Sequence, residues 1–132
     1  MPPNWLSAQL DLYADAACGQ VWVEDWSGYP SGARERYLRD YSGESRHIHG
    51  ANLEISAAAY RTAGGFAALP LGEDAALVSS LLERKGDVRF AGPPHVATSA
   101  RWESTIEGGF AALLRGLREQ SIAEAAVEPL AA

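Results

Sequence analysis

A lone cysteine, Cys18, excludes an internal disulfide and the paired-cysteine metal and redox motifs. Basic residues are also scarce: 11 Lys+Arg against 17 Asp+Glu leave a net charge of −6. Such a chain lacks the basic footprint that displaces counterions from nucleic acid or docks on anionic lipid. No apolar run approaches the ~20 residues of a spanning helix. Met1 is followed by Pro2, Pro3 and Asn4 rather than a basic start and an apolar stretch, so no signal peptide is read and a cytoplasmic setting is expected. Internal repeats and low-complexity tracts are absent. What remains is 132 residues, 47% of them hydrophobic, which is enough for one domain with a real core. We expect a single domain over residues 1–132, with residues 119–132 a partly frayed helical tail.

Periodicity predicts a helix over residues 5–18, with Leu6, Leu10, Tyr13 and Ala17 on one side and Asn4 as its cap. Gly19 breaks that pattern. Gln20 to Trp26 alternates, which predicts a strand with Val21 and Val23 on one face and Trp22 and Trp26 on the other. Ser27 to Gly32 is turn chemistry, and Ala33 to Tyr41 a short helix ended by Gly43. Residues 47–55 are ambiguous, with an extended stretch around His47 and His49. Ser56 can cap a helix through Ala63 that Gly64-Gly65 stops. Glu73 to Lys85 is the clearest helix, with an apolar stripe of Leu77, Val78, Leu81 and Leu82 and a stop at Gly86. Short extended pieces over 87–91 and 95–99 flank Pro93-Pro94, and a last helix starts at Phe110 and runs to about Val127. The strands are too few for a self-sufficient doubly wound sheet. The pattern suggests an α/β chain that is half of a larger unit.

The strongest chemical constellation is Gly64-Gly65-Phe66 followed by Gly72-Glu73-Asp74 at the opening of a helix. Exposed N–H groups and the helix dipole favour ionised carboxylates there. A carboxylate fixed on a helix start can accept a proton from a sugar or alcohol hydroxyl. The plainer reading is that Glu73 and Asp74 only cap and charge the first turn.

These residues also carry a resemblance. His49-Gly50-Ala51-Asn52-Leu53, Tyr60, Ala63-Gly64-Gly65-Phe66, Gly72-Glu73-Asp74 and Leu77 resemble the C-terminal, acceptor-side half of a family 2 glycosyltransferase. Val21-Trp22-Val23 looks like the strand leading into that half. Thr98-Ser99-Ala100-Arg101 and Gly108-Gly109-Phe110 look like a bacterial subgroup, and the likeness spans roughly residues 4–118. The resemblance implies a partial GT-A (Rossmann-like) fold, helix-rich with a small mixed sheet. It implies inverting transfer of a sugar from a nucleotide-diphosphate donor to a hydroxyl acceptor. Asp74 maps onto the family's general base and Glu73 onto the Glu beside it. His49, Asn52 and Trp102 become acceptor-side candidates, Arg101 a phosphate-binding candidate and His95 the late histidine that completes a metal shell.

The departures are as informative. The family's nucleotide-binding half adds about a hundred residues before this point. It holds Mn or Mg through an Asp-x-Asp signature, and this sequence contains none. Pro2 to Leu6 looks like the segment following that signature. The expectation is therefore a fragment lacking the nucleotide-binding half, inactive and metal-free in isolation, that dimerises over an exposed sheet edge. After Arg101 the subgroup's second Arg is missing, with Trp102-Glu103-Ser104-Thr105 in its place.

Other residues have plainer roles. Core packing suits Trp22 and Trp26, although Trp22, Trp26, Tyr29 and Trp102 could stack on sugar faces. Arg34, Arg36 and Arg39 read as a solvated helix face. Cys18 reads as a small buried apolar residue. Two rival functions remain: a stand-alone acidic interaction module, and a small metal-dependent hydrolase using His47, His49 and Asp74.

Overall fold

A computed structural model of the chain describes residues 1–41, 46–90 and 94–127. Gly43, Ala91, Pro93 and the tail beyond Val127, to which parts of the sequence reading refer, lie outside the described residues. The chain is mixed α/β and divides into two compact units, one of residues 1–22 and 46–98, the other of residues 23–45 and 99–132.

The first unit is built on a mixed three-stranded sheet of β1 (Ala16–Cys18), β3 (Leu53–Ile55) and β4 (Val88–Phe90) in the order β3-β1-β4. β1 runs antiparallel to β3, with Ala16 opposite Ile55, and parallel to β4, with Ala16 opposite Val88. Its three residues are all buried and all small, as a strand paired on both sides requires. Helices α3 (Ala57–Ala63) and α4 (Glu73–Glu83) supply Ala59, Ala63 and Leu81 to pack on Ala16, Ile55 and Val88. Ser80 Oγ ties the two helices by donating to the Ala63 carbonyl at 3.1 Å.

The helix expected over 5–18 is corrected here. Helix α1 covers only Trp5–Leu10, and Tyr13 turns the chain out of the helix at φ 48°. Ala16 to Cys18 then forms the central strand. The apolar stripe points the wrong way for a core-facing helix: Tyr13 is 91% exposed and Leu6 and Leu10 are exposed, whereas Gln9 is buried. Side-chain hydrogen bonding, described below, draws Gln9 inward. Asn4 sits at the N-cap without a side-chain capping bond, and its carbonyl accepts from the Ala8 N–H at 3.0 Å.

Local signals elsewhere are realised. Ser56 Oγ accepts the Ala59 N–H at 3.1 Å, and α3 ends on left-handed Gly64. In α4, Leu77, Val78 and Leu81 are buried, whereas Leu82 is exposed. The turn after α4 puts Lys85, not Gly86, at positive φ (60°). Gly86 is needed for a different reason: its N–H reaches the Leu81 carbonyl at 2.9 Å, and a Cβ there would sit 3.1 Å from the same oxygen. β2 (Val21–Val23) pairs with β5 (Val96–Thr98); Val21 and Val23 are buried, as one face of the alternation, whereas Trp22 on the other face is exposed, so the core-packing role expected of it is corrected.

The second unit packs α2 (Ala33–Asp40) and α5 (Phe110–Val127) around Val23, Tyr37, Leu114 and Leu117. An aromatic cluster joins this core. Trp26 meets Tyr29 edge-on at 5.0 Å between ring centroids, and Tyr29 meets Trp102 edge-on at 5.2 Å. Both geometries suit the quadrupoles of the rings. Trp26 therefore belongs to the core, as expected, but from beyond the strand. Its Nε1 donates to the Val23 carbonyl at 3.0 Å, and the Tyr29 hydroxyl donates to the Ala100 carbonyl. Burial pushes the Tyr37 phenol up to about 12. Arg34 and Arg39 are exposed as expected, Arg39 pairing with Asp40 at 2.8 Å, whereas Arg36 departs from the solvated face expected of it: its side chain is 19% exposed and pairs with Glu124 of α5.

Candidate functional site

Of the residues singled out in the sequence, Asp74, Glu73, His49, Asn52 and His95 lie in the first unit, and Arg101 and Trp102 in the second. Within the first unit the fold brings the His49-Gly50 stretch to the start of α4. The Gly50 N–H donates to Asp74 Oδ2 at 2.7 Å, and the Ala75 N–H donates to Asp74 Oδ1 at 2.7 Å. Asp74 is half-buried and is not enclosed in the core, while Glu73 is exposed. His49 is half-buried, and its ring lies 6.1 Å from that of His47.

The electrostatics follow from these positions. Burial, helped by the neighbouring His47, holds His49 below the ordinary histidine value of 6.5, and the Asp74 carboxylate opposes this. The unfolded state therefore binds a proton that the folded state refuses. Stability should fall as pH drops below about 6.5 and continue to fall through the lower native value. Replacing His49 by Gln should flatten this acid limb, as measured by urea unfolding across a pH series.

Cys18 shares the neighbourhood of Asp74. Burial first, and the Asp74 charge second, push its thiol up to about 11 from 9.0. With 2% of its surface exposed it is a packing residue, as its composition suggests. A disulfide reagent at mildly alkaline pH should label it about a hundredfold more slowly than in the urea-unfolded chain, from the thiolate fraction alone. Labelling at the unfolded rate would contradict its burial.

Asn52 is placed as a hub. It is fully buried, at 0% exposure. Its Oδ1 accepts from Trp5 Nε1 at 2.7 Å and from Gln9 Nε2 at 3.0 Å, and its Nδ2 donates to the Gln20 carbonyl at 2.7 Å and the Pro94 carbonyl at 3.3 Å. An amide has two donor hydrogens and two acceptor lone pairs, and all are used. No hydrogen-bonding capacity is left for an acceptor. Gly19 is part of the same arrangement: a Cβ there would lie 2.3 Å from Asn52 Nδ2, so only glycine lets the amide lie on the backbone.

The His95 ring lies 6.1 Å from that of Trp22 and tilted 58° to it, and its Nδ1 is buried without a hydrogen-bond partner among the described residues. Among those residues no three or more His, Cys, Asp or Glu gather as a metal site, so neither His95 nor the set His47, His49 and Asp74 has a ligand group around it. Arg101 is exposed, and its backbone N–H donates to Ser99 Oγ at 3.2 Å. Trp102 is held by Tyr29 and by the Arg118 guanidinium 4.7 Å over its ring, and it closes on Gly28, where a Cβ would lie 2.9 Å from the indole. A separate cavity of about 360 Å³ in the second unit is lined by Ser31, Gly32, Ser121, Glu124 and Ala125, none of them a sequence candidate.

Sequence reasoning missed the Gly50 donor and the approach of Cys18 to Asp74. The only cue was the glycine itself, placed between His49 and Asn52. Among the described residues no helix is long and apolar enough to cross a membrane. Comparison with protein-family models, with curated proteins and with solved structures found no match to this chain.

Proposed function

We propose that the chain is the acceptor-side part of an inverting glycosyltransferase of GT-A type, with Asp74 the general base. One observation supports this above the others: the carboxylate of Asp74 is fixed by two backbone N–H groups at the mouth of α4, only half-buried, with His49 alongside. Among the described residues each oxygen takes one hydrogen bond, which leaves it a lone pair. An incoming hydroxyl that donates to one of them loses its proton as its oxygen attacks the anomeric carbon of the donor sugar, and the nucleotide diphosphate leaves from the opposite face. Glu73 borders the acceptor path. A divalent ion, held elsewhere in the complete enzyme, would neutralise the leaving diphosphate. His49 stays neutral at physiological pH and can exchange hydrogen bonds with acceptor hydroxyls. In this reading a nucleotide-binding partner half supplies the donor pocket. The outer strands β3 and β4 offer sheet edges to that half or to a second copy of the chain.

The test is a transfer assay on the protein expressed from its native locus, with a panel of nucleotide-sugars, simple alcohol acceptors and Mn²⁺. Turnover should fall by about 10²–10⁴-fold in Asp74→Asn. A second reading, an interaction module in which Asp74 only secures a helix start, is favoured by the Ala75 bond, which lies within the first turn of its own helix. It predicts no transfer from any donor.

A further inference from the structure

We propose that Gly50 is the positioning residue of Asp74, and that the turn Gly50–Asn52 exists to aim its carboxylate. This rests on Asp74 being the base. A free aspartate at a helix start rotates among several rotamers and presents its oxygens to solvent in all of them. Here the Ala75 N–H takes Oδ1 and the Gly50 N–H takes Oδ2, each at 2.7 Å, so the plane of the carboxylate is set from two directions. The second donor comes from another part of the chain and must itself be held. It is: residues 50–52 form a 3-10 turn, the Asn52 N–H closes it on the His49 carbonyl at 2.8 Å, and the Asn52 side chain is locked by the indole of Trp5, the amide of Gln9 and the carbonyls of Gln20 and Pro94. The rigid centre of the unit thus reaches the carboxylate through two residues of backbone. Asn52 acts on the site without touching a ligand.

The glycine also gives the carboxylate room. A Cβ at position 50 would lie 3.3 Å from Asp74 Oδ2, 3.8 Å from its Cβ and 3.9 Å from its Cγ. Any side chain there presses on the oxygen that the N–H is holding. Misplacement by a few tenths of an ångström is enough to cost rate when a proton must pass between fixed oxygens.

Three measurements on the intact protein test this. In the wild type the Gly50 amide should exchange slowly and resonate downfield. In Asp74→Ala its exchange should quicken by about tenfold or more, as loss of a charge-assisted bond dictates, and its resonance should move upfield. In Gly50→Ala, side-chain couplings should show Asp74 averaging over rotamers while the amides of Ala16 and Asn52 keep their wild-type shifts. In the transfer assay Gly50→Ala should lower kcat by about ten- to a hundredfold with the donor KM unchanged, and should add nothing to Asp74→Asn. A Gly50 amide indifferent to Asp74→Ala, a single Asp74 rotamer surviving Gly50→Ala, or full turnover in Gly50→Ala would each overturn the proposal. Full turnover in Asp74→Asn would instead remove the base itself, and the two failures are told apart because the Gly50 amide reports the bond whether or not transfer occurs.

Discussion

Asn52→Ala should destabilise the first unit by about 3–5 kcal/mol, a loss reserved for buried networks and large core truncations. The substitution strands the indole N–H of Trp5 and the side-chain N–H of Gln9, and it removes the side-chain donor from the carbonyls of Pro94 and of Gln20, the latter keeping the Val96 N–H at 3.1 Å. Each unpaired buried group costs about 1–3 kcal/mol, and entry of a water molecule can satisfy only some of them. Gln9 is already short of one partner, because its Oε1 is buried with no hydrogen bond among the described residues. Asn52→Asp should be no milder. It keeps an acceptor for Trp5 and Gln9 but turns a second oxygen on the carbonyls of Gln20 and Pro94, and it buries a charge. Gly19→Ala should resemble both, since its methyl would occupy the place of the Asn52 amide. Urea unfolding followed by labelling of Cys18, the one cysteine of the chain, reads the first unit directly. A loss under about 1 kcal/mol would show that the network is not what holds this unit together.

The division between what could be read in the sequence and what could not follows the range of the interactions. Helices α3, α4 and α5 carry their own signals: a capping Ser56, a stop at Gly64, a stripe of Leu77, Val78 and Leu81. The alternation of Val21 and Val23 is likewise local. Ala16 to Cys18 could not be read as a strand, because small residues have no strong preference and both partners, residues 53–55 and 88–90, are far along the chain. The helical period through Leu6, Leu10 and Tyr13 was real as a pattern. It lost to a polar contact, since Gln9 reaches Asn52 and so fixes which side of α1 faces inward. The candidate base could be named from the Glu73-Asp74 pair at a helix opening. Its partner Gly50 could not, because a backbone donor leaves no mark in side-chain chemistry. The same holds for Asn52, whose turn was legible but whose four side-chain bonds are all to residues outside it.

Asp74→Asn separates chemistry from architecture because the amide is nearly isosteric with the carboxylate. Its oxygen can still accept the Gly50 N–H, so one of the two orienting bonds survives while the other meets an amide nitrogen. The fold should therefore lose no more than about 1–2 kcal/mol, the cost of weakening a helix-start carboxylate and its charge-assisted bonds. Proton acceptance is lost outright, because an amide is not a base near neutral pH. A transferase should then keep its donor KM and lose about 10²–10⁴-fold in kcat. Glu73→Gln supplies the contrast. Glu73 is exposed in the same first turn and carries the same formal charge, but among the described residues it has no hydrogen bond like those of Asp74. If the carboxylates served only to charge the first turn, the two substitutions would cost similar stability and neither would change a rate. A large kcat loss in Asp74→Asn beside a small one in Glu73→Gln cannot come from helix electrostatics, which both share. Together with a stability loss no larger than about 1–2 kcal/mol, it points to an oxygen placed to receive a proton.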